Sequence, residues 1–261
     1  MERSSSRNGP DRAPIAISAQ GLRKRYRLGE LHSLRQTIGR LTRRDHMVES
    51  RSFEALAGVN LDVYRGDALG IVGSNGSGKS TMLQILAGTT LPTGGLMEIH
   101  GRVIPLLAVA TGFHGELTGR ENVRLFAASL RVPLEATEAR MDALTAFAEL
   151  ENHMDTPIKR YSSGMLARLS FAIAMQFPGD IYVFDEVLAV VDGEFEARCL
   201  AEIRRLYSEG RTVVFVSHKL DQVAEVCNRV LWLEHGKVRQ AGPSNDVLAA
   251  YAQEQADHLM Q

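Results

Sequence analysis

The chain has 261 residues, with 30 Lys and Arg against 31 Asp and Glu and a formal net charge of −1. That balance excludes a nucleic-acid-binding surface built on bulk charge, and no run of about 18 apolar residues is present to span a membrane. The length allows one large domain or two small ones, and 44% hydrophobic residues suffice for a sizeable core. Cys199 and Cys227 lie in helix-like, partly apolar stretches and read as buried thiols of a reducing compartment. The start, "MERSSSRNGPDRAP", lacks the apolar segment of a secretory signal.

In chain order, residues 1–13 are polar and read as a disordered tail. Residues 14–28, "PIAISAQGLRKRYRL", read as a first strand region. A basic, weakly helical insertion occupies 29–52, with Arg35, Arg40, Arg43, Arg44 and Arg51. It reads either as a solvated surface segment or as a contact with acidic lipid headgroups or a partner. "LAGVNLDVYRGDALGIVG" holds two β runs joined at Arg65-Gly66-Asp67. Residues 79–88 are helical and a turn follows at 92–95. Several amphipathic helical runs fill 120–176. "DIYVFDE" and "TVVFVSH" are short, continuous apolar strands of the buried parallel type, separated by a helix over 193–208. "RVLWLEHGKVRQAG" reads as a hairpin, and 244–257 as a last helix with Ser244 as N-cap.

The strongest motif is "GSNGSGKS", residues 73–80. It places Gly73, Gly78, Lys79 and Ser80 in the G-x-x-x-x-G-K-[ST] pattern, after a β run and at the opening of a helix. Glycines let backbone N–H groups converge on phosphate oxygens. Lys79 reaches the β- and γ-phosphates, and the Ser80 hydroxyl is placed to ligate Mg²⁺. "IYVFDE" ends a strand in Asp185 and Glu186, at the sheet edge where ligands collect. Asp185 suits the metal, and Glu186 suits the proton of an attacking water. "VFVSH" ends another strand at the same edge with His218, in the place of a γ-phosphate sensor. The stretch "KRYSSGMLARL" puts two serines and a glycine before a helical pattern, where free N–H groups attract an anion.

Over roughly 14–255 the chain resembles the nucleotide-binding subunit of an ATP-binding-cassette (ABC) transporter. "GSNGSGKST" resembles its Walker A motif, and "IYVFDE" its Walker B motif with catalytic glutamate. "YSSGM" stands where the family signature is placed, 23 residues before Asp185; "AVVD" resembles the D-loop; "VSH" resembles the switch-histidine motif, 33 residues after Asp185. The resemblance implies an α/β P-loop nucleoside-triphosphatase fold, with a mostly parallel core sheet, an antiparallel β region and a helical subdomain near 113–176. It implies a single domain over 14–258. ATP and Mg²⁺ are the implied ligands. Gly73, Ser74, Asn75, Gly76, Ser77, Gly78, Lys79, Ser80 and Thr81 would hold the nucleotide, Ser80 and Asp185 the metal, and Glu186 and His218 the catalysis. Tyr161, Ser162, Ser163, Gly164 and Met165 would act across a head-to-tail dimer of two copies, and Asp192 would lie in the D-loop.

Four departures bear on this resemblance. Ser163 and Met165 replace a glycine and the glutamine of the signature, Val191 stands where the exporter branch has glycine, and His114 occupies the place of the Q-loop glutamine. Tyr26 stands where the family places an adenine-stacking aromatic, with Phe53 as the alternative. "YSSGM", "GFHGELTGREN", "DEVLAVVDGEF" and "WLEHGKV" are similar to the branch that exports lipid-linked polysaccharides such as O-antigen, capsule or teichoic-acid chains. That branch implies a separate membrane permease, a lipid-linked glycan as the transported substrate, no nucleic-acid partner, and a place on the cytoplasmic face of the inner membrane. The alternatives are a cassette ATPase of another exporter or importer, and a soluble non-transport cassette ATPase.

Overall fold

The structure is a computed structural model and describes residues 13–27, 52–106, 113–185 and 191–259. The tail apart from Ala13, the insertion apart from Ser52, Glu186, and the first two residues of "AVVD" lie outside the described residues.

Six strands form the central sheet. They are β3 (Ala68–Val72), β5 (Val103–Leu106), β6 (Ile181–Phe184), β7 (Thr212–Val216), β8 (Arg229–Glu234) and β9 (Lys237–Pro243). Their spatial order is β5-β6-β7-β3-β8-β9. The first five run parallel, and β9 turns back antiparallel on β8. The expected hairpin thus forms, closed by His235 at φ 46° and Gly236 at φ 75°, the backbone of a two-residue type I′ turn.

The buried strands alternate between two cores because successive side chains point to opposite faces. Leu69, Ile71, Ile181, Val183, Val214, Val216, Leu231 and Leu233 face one core. Ala68, Val72, Tyr182, Phe184, Val213, Phe215, Val230 and Trp232 face the other. Both faces are therefore covered, the condition under which parallel strands read as unbroken apolar runs. Helix α1 (Lys79–Leu86) packs on the first face, beneath a three-stranded antiparallel sheet. That sheet has the order β2-β1-β4, built from β1 (Ile15–Arg27), β2 (Ser52–Tyr64) and β4 (Gly94–Ile99).

Helices α2 (Gly119–Ser129), α3 (Leu134–Ala148) and α4 (Ser163–Gln176) share a third core around Val123, Leu144, Leu169 and Phe177. Helix α4 also lends Phe171 to the second face, where it stacks on Phe184 at 5.8 Å. Full burial of such a ring stabilises by about 1.5–3 kcal/mol. Helices α5 (Gly193–Ser208), α6 (Leu220–Val226) and α7 (Ser244–Leu259) complete the described helices.

Two local expectations fail. The turn after α1 ends at Thr93, and Gly94 and Gly95 open β4. Gly95 is needed there because a Cβ would lie 2.3 Å from the Gly21 carbonyl of β1. Ser244 is the first residue of α7, and its buried hydroxyl has no hydrogen-bond partner among the described residues. Its N–H instead donates to the Asn228 carbonyl, so the main chain rather than the side chain ties this helix start down.

Candidate active site

Strand order gathers the motifs at one edge. β7 lies between β3 and β6, with Ile71 opposite Val216 and Phe184 opposite Phe215. The loop after β3, Asp185 after β6 and His218 after β7 therefore emerge side by side. Neighbouring strands are about 4.8 Å apart, so β3 and β6 sit within about 10 Å.

The loop from Gly73 to Gly78 is shaped by contacts that only glycine permits. A Cβ on Gly73 would lie 2.2 Å from the Leu233 carbonyl, and one on Gly78 2.5 Å from the Ala55 carbonyl. The β8–β9 turn braces the loop, since Gly236 N–H donates to the Ser77 carbonyl at 2.9 Å. The same turn is held by β2, through Ala57 N–H to the Gly236 carbonyl at 2.8 Å. Lys79 is buried, and its Nζ donates to the carbonyls of Gly73 at 2.8 Å and Ser74 at 3.1 Å. The Ser77 hydroxyl, 1% exposed, has no hydrogen-bond partner among the described residues. Such an orphaned group costs about 1–3 kcal/mol unless something satisfies it.

A groove of about 230 Å³ lies over this loop. It is lined by Asn75, Gly76, Gly78, Lys79, Ser80, Thr81, His218, and Phe53 and Ala55 of β2. Tyr26 is not among the lining residues. Phe53, which faces it across the β1–β2 ladder, is. The Tyr26 hydroxyl stands 3.5 Å from the Gln84 side chain on α1, and Lys24 Nζ lies 4.9 Å over its ring. Phe53 is 48% exposed at the edge of this groove.

The signature corner is local and open. Ser162 caps α4, its hydroxyl accepting from Met165 N–H at 3.2 Å. Ser162 and Ser163 are exposed and Gly164 half-buried, so the first turn of the helix faces outward. Met165 packs against the third core, which explains an apolar residue at this helix start. Tyr161 is buried and its hydroxyl donates to the His153 carbonyl at 2.7 Å.

His114 is exposed, and its main chain is held by Asn122. The Asn122 carbonyl oxygen accepts from His114 N–H at 2.7 Å, and its amide reaches the carbonyls of His114, Leu117 and Thr118. Asn122, 1% exposed, is thus the clamp of this loop. The sequence does not single it out, because an asparagine at the fourth position of a helix carries no signal until its partners fold around it. Thr118 and Glu121 form a capping box at the start of the same helix.

Asp192 caps α5 by accepting from Phe195 N–H at 3.0 Å, and Arg168 of α4 pairs with it. The Phe195 amide, and then the Arg168 guanidinium, pull its carboxyl down to about 2. Arg168 and Arg198 also share the Glu149 carboxylate, and both guanidinium groups lie over the Phe195 ring, at 4.8 and 5.1 Å.

A phosphate loop at the end of β3, with an aspartate and a histidine ending two neighbouring strands, defines a P-loop nucleoside triphosphatase. The family model described as "ABC transporter" matches residues 56–189. The O-antigen export system ATP-binding protein RfbB of Klebsiella pneumoniae is 40% identical over 210 residues, covering 80% of this chain and 85% of that protein. RfbB of Myxococcus xanthus is 38% identical over 233 residues, 89% of this chain and 53% of that protein. The teichoic acids export ATP-binding protein TagH of Enterococcus faecalis is 42% identical over 200 residues, 77% of this chain and 44% of that protein. Among solved structures, the dimeric ATP-binding cassette MJ0796 in a post-hydrolysis state with ADP and phosphate superposes with a TM-score of 0.72 at 22% identity. That match covers 87% of this chain and 98% of that one, and it shows the shared fold. The chain belongs to the ABC transporter family, as an ATP-binding and ATP-hydrolysing cassette.

Proposed function

We propose that this cassette powers export of a lipid-linked polysaccharide through a separate membrane permease, working as a head-to-tail dimer of two copies over residues 14–258, with helices in 113–176 as its subdomain. The observation that carries the dimer is the separation of two half-sites. The described groove residues come from the phosphate loop, β2 and the switch loop, with none from 161–165. The corner at Ser162 meanwhile presents an exposed, capped helix start. A helix N-terminus of this kind favours negative charge. In the dimer, Ser162 and Gly164 contact the γ-phosphate held by the partner's loop.

In this reading Gly73 to Thr81 cradle the phosphates, and Lys79 moves from its carbonyl partners to the β- and γ-oxygens. Phe53 supplies the stacking face for adenine. Ser80 in the groove and Asp185 at the end of β6 offer a hydroxyl and a carboxylate, hard oxygen donors that suit Mg²⁺. Among the described residues no cluster of three or more His, Cys, Asp or Glu forms a protein-only metal cage. A site built from one hydroxyl and one carboxylate needs substrate phosphates to complete it. When bound, the metal neutralises charge on the β- and γ-phosphate oxygens. Glu186 takes the proton of the attacking water, and His218 reads the γ-phosphate. Asp192 joins its own signature helix to the helix behind the switch loop.

The export reading rests on two of those relatives being O-antigen and teichoic-acid export proteins. It places the chain on the cytoplasmic face of the inner membrane, held by the permease. The test is genetic complementation. Cells lacking the chain should keep lipid-linked glycan inside and lose surface polysaccharide. The wild-type gene should restore it and Lys79→Ala should not. Normal surface polysaccharide in the null strain would exclude this substrate class.

A further inference from the structure

His218 is exposed at the end of β7, flanked by Ser217 and Lys219. A side chain in that place needs its backbone held. The Ser217 hydroxyl accepts from Lys219 N–H at 3.1 Å, across His218, and donates to the Gln222 carbonyl oxygen at 2.7 Å. Gln222, 6% exposed, passes the connection on by donating from Nε2 to Glu196 Oε1 at 2.9 Å. Glu196 then takes Lys219 Nζ on both oxygens, at 2.7 and 2.9 Å. The bonds close a ring through Ser217, Gln222, Glu196 and Lys219, with His218 between its two ends.

We propose that Glu196 and Gln222 are positioning residues for the switch histidine. They act from α5 and α6 to fix the backbone on either side of His218 against the groove. This rests on the reading of the groove as the ATP site with His218 at the γ-phosphate. A solvated surface pair would not bury its amide link, and each polar atom of Gln222 is spent inside the ring. The ring also has a direction. Glu196 is one turn along from Asp192, which pairs with Arg168 of the signature helix. The first turn of α5 therefore touches the switch loop at one end and the signature helix at the other. In a head-to-tail dimer those two elements serve opposite ATP sites, so this turn links the sites within one chain.

The test is charge reversal in the full chain with magnesium and ATP. Glu196→Lys should set two cations against each other and lower kcat by about 10- to 100-fold, the scale of an ångström-sized misplacement, with ATP affinity held within about two-fold. Lys219→Glu should set two carboxylates against each other and lower kcat to a similar degree. The pair Glu196→Lys with Lys219→Glu should recover most of kcat, because the Gln222 amide can turn over to present its oxygen to the lysine and its nitrogen to Ser217. Gln222→Leu keeps the volume and both charges, and should lower kcat alone. Single reversals with wild-type kcat, or a reversed pair that does not recover, overturn the proposal. So does a fall in kcat that tracks a fall in Tm and ATP affinity, since the ring would then be structural. His218→Ala is the control for the underlying reading. Wild-type turnover in that variant removes the role of His218 itself, independently of the ring.

Discussion

Arg168 on α4 is ion-paired through Nη2 with the carboxylate of Asp192, the residue that caps α5. The pair joins α4, which begins at Ser163, to α5, which begins at Gly193. Arg168 is only 20% exposed and also holds Glu149 at the end of α3, so one guanidinium ties three helices together.

Asp192→Asn isolates the charge in this junction. Asparagine caps helices as well as aspartate does, so the bond from Phe195 N–H survives and the ion pair does not. The folded carboxyl titrates near 2 against an ordinary 3.8. A depressed carboxylate contributes stability above its unfolded value and loses it as pH falls through its folded value. The wild type should therefore show the higher urea midpoint at pH 7. The gap should narrow below about pH 4 and vanish only below about pH 2. Because Asp192 is exposed, the gap should be small and should shrink in high salt. A gap independent of pH would assign the effect to packing instead.

Glu186→Gln should bind ATP and hydrolyse it slowly. Loss of a general base removes about 10²–10⁴-fold in rate, roughly 3–5 kcal/mol of barrier. Steady-state turnover and nucleotide binding, measured on the same preparation, separate the two effects. Turnover near the wild-type rate would show that another group accepts the proton.

Two inactive variants should complement each other if the ATP sites are shared between copies. Lys79→Ala removes the phosphate contact of its own loop. Ser162→Arg puts a bulky cation where the partner's γ-phosphate seats. Either homodimer has no intact site, whereas a mixed dimer has one site carrying both defects and one carrying neither. Vanadate trapping of nucleotide should reappear when the two are co-assembled. Failure to trap in demonstrated mixed dimers would mean that Ser162 does not act across the interface.

Phe53→Ala should weaken ATP binding by about ten-fold, consistent with about 1–3 kcal/mol for a stacked base. Tyr26→Ala should change it by less than about two-fold, since its ring lies beneath Lys24 and outside the groove lining. Titration with ATP and with a triphosphate lacking the base would assign the difference to stacking. The opposite ranking would return adenine to Tyr26.

The elements whose physics is local could be read from the residues alone. The phosphate loop is legible because Gly73 and Gly78 sit at positions where φ is positive and a Cβ would strike a carbonyl. The runs at 181–184 and 212–216 are legible because both faces of a parallel sheet are covered, which leaves no polar alternation. The helix at 193–208 and the capped corner at Ser162 are also bonds between near neighbours. Features that depend on distant partners emerged only with the folded chain. The order β6-β7-β3, which sets Asp185 and His218 beside the loop, comes from pairing strands far apart in the chain. Phe53 enters the groove because β2 passes over the loop at Ala55, and the start of α7 is tied down by the main-chain bond from Ser244 N–H to the distant Asn228 carbonyl. Asn122, Gln222 and Glu196 were silent for the same reason. A buried amide or carboxylate has no meaning until the groups that satisfy it have been folded against it, and those groups come from other elements.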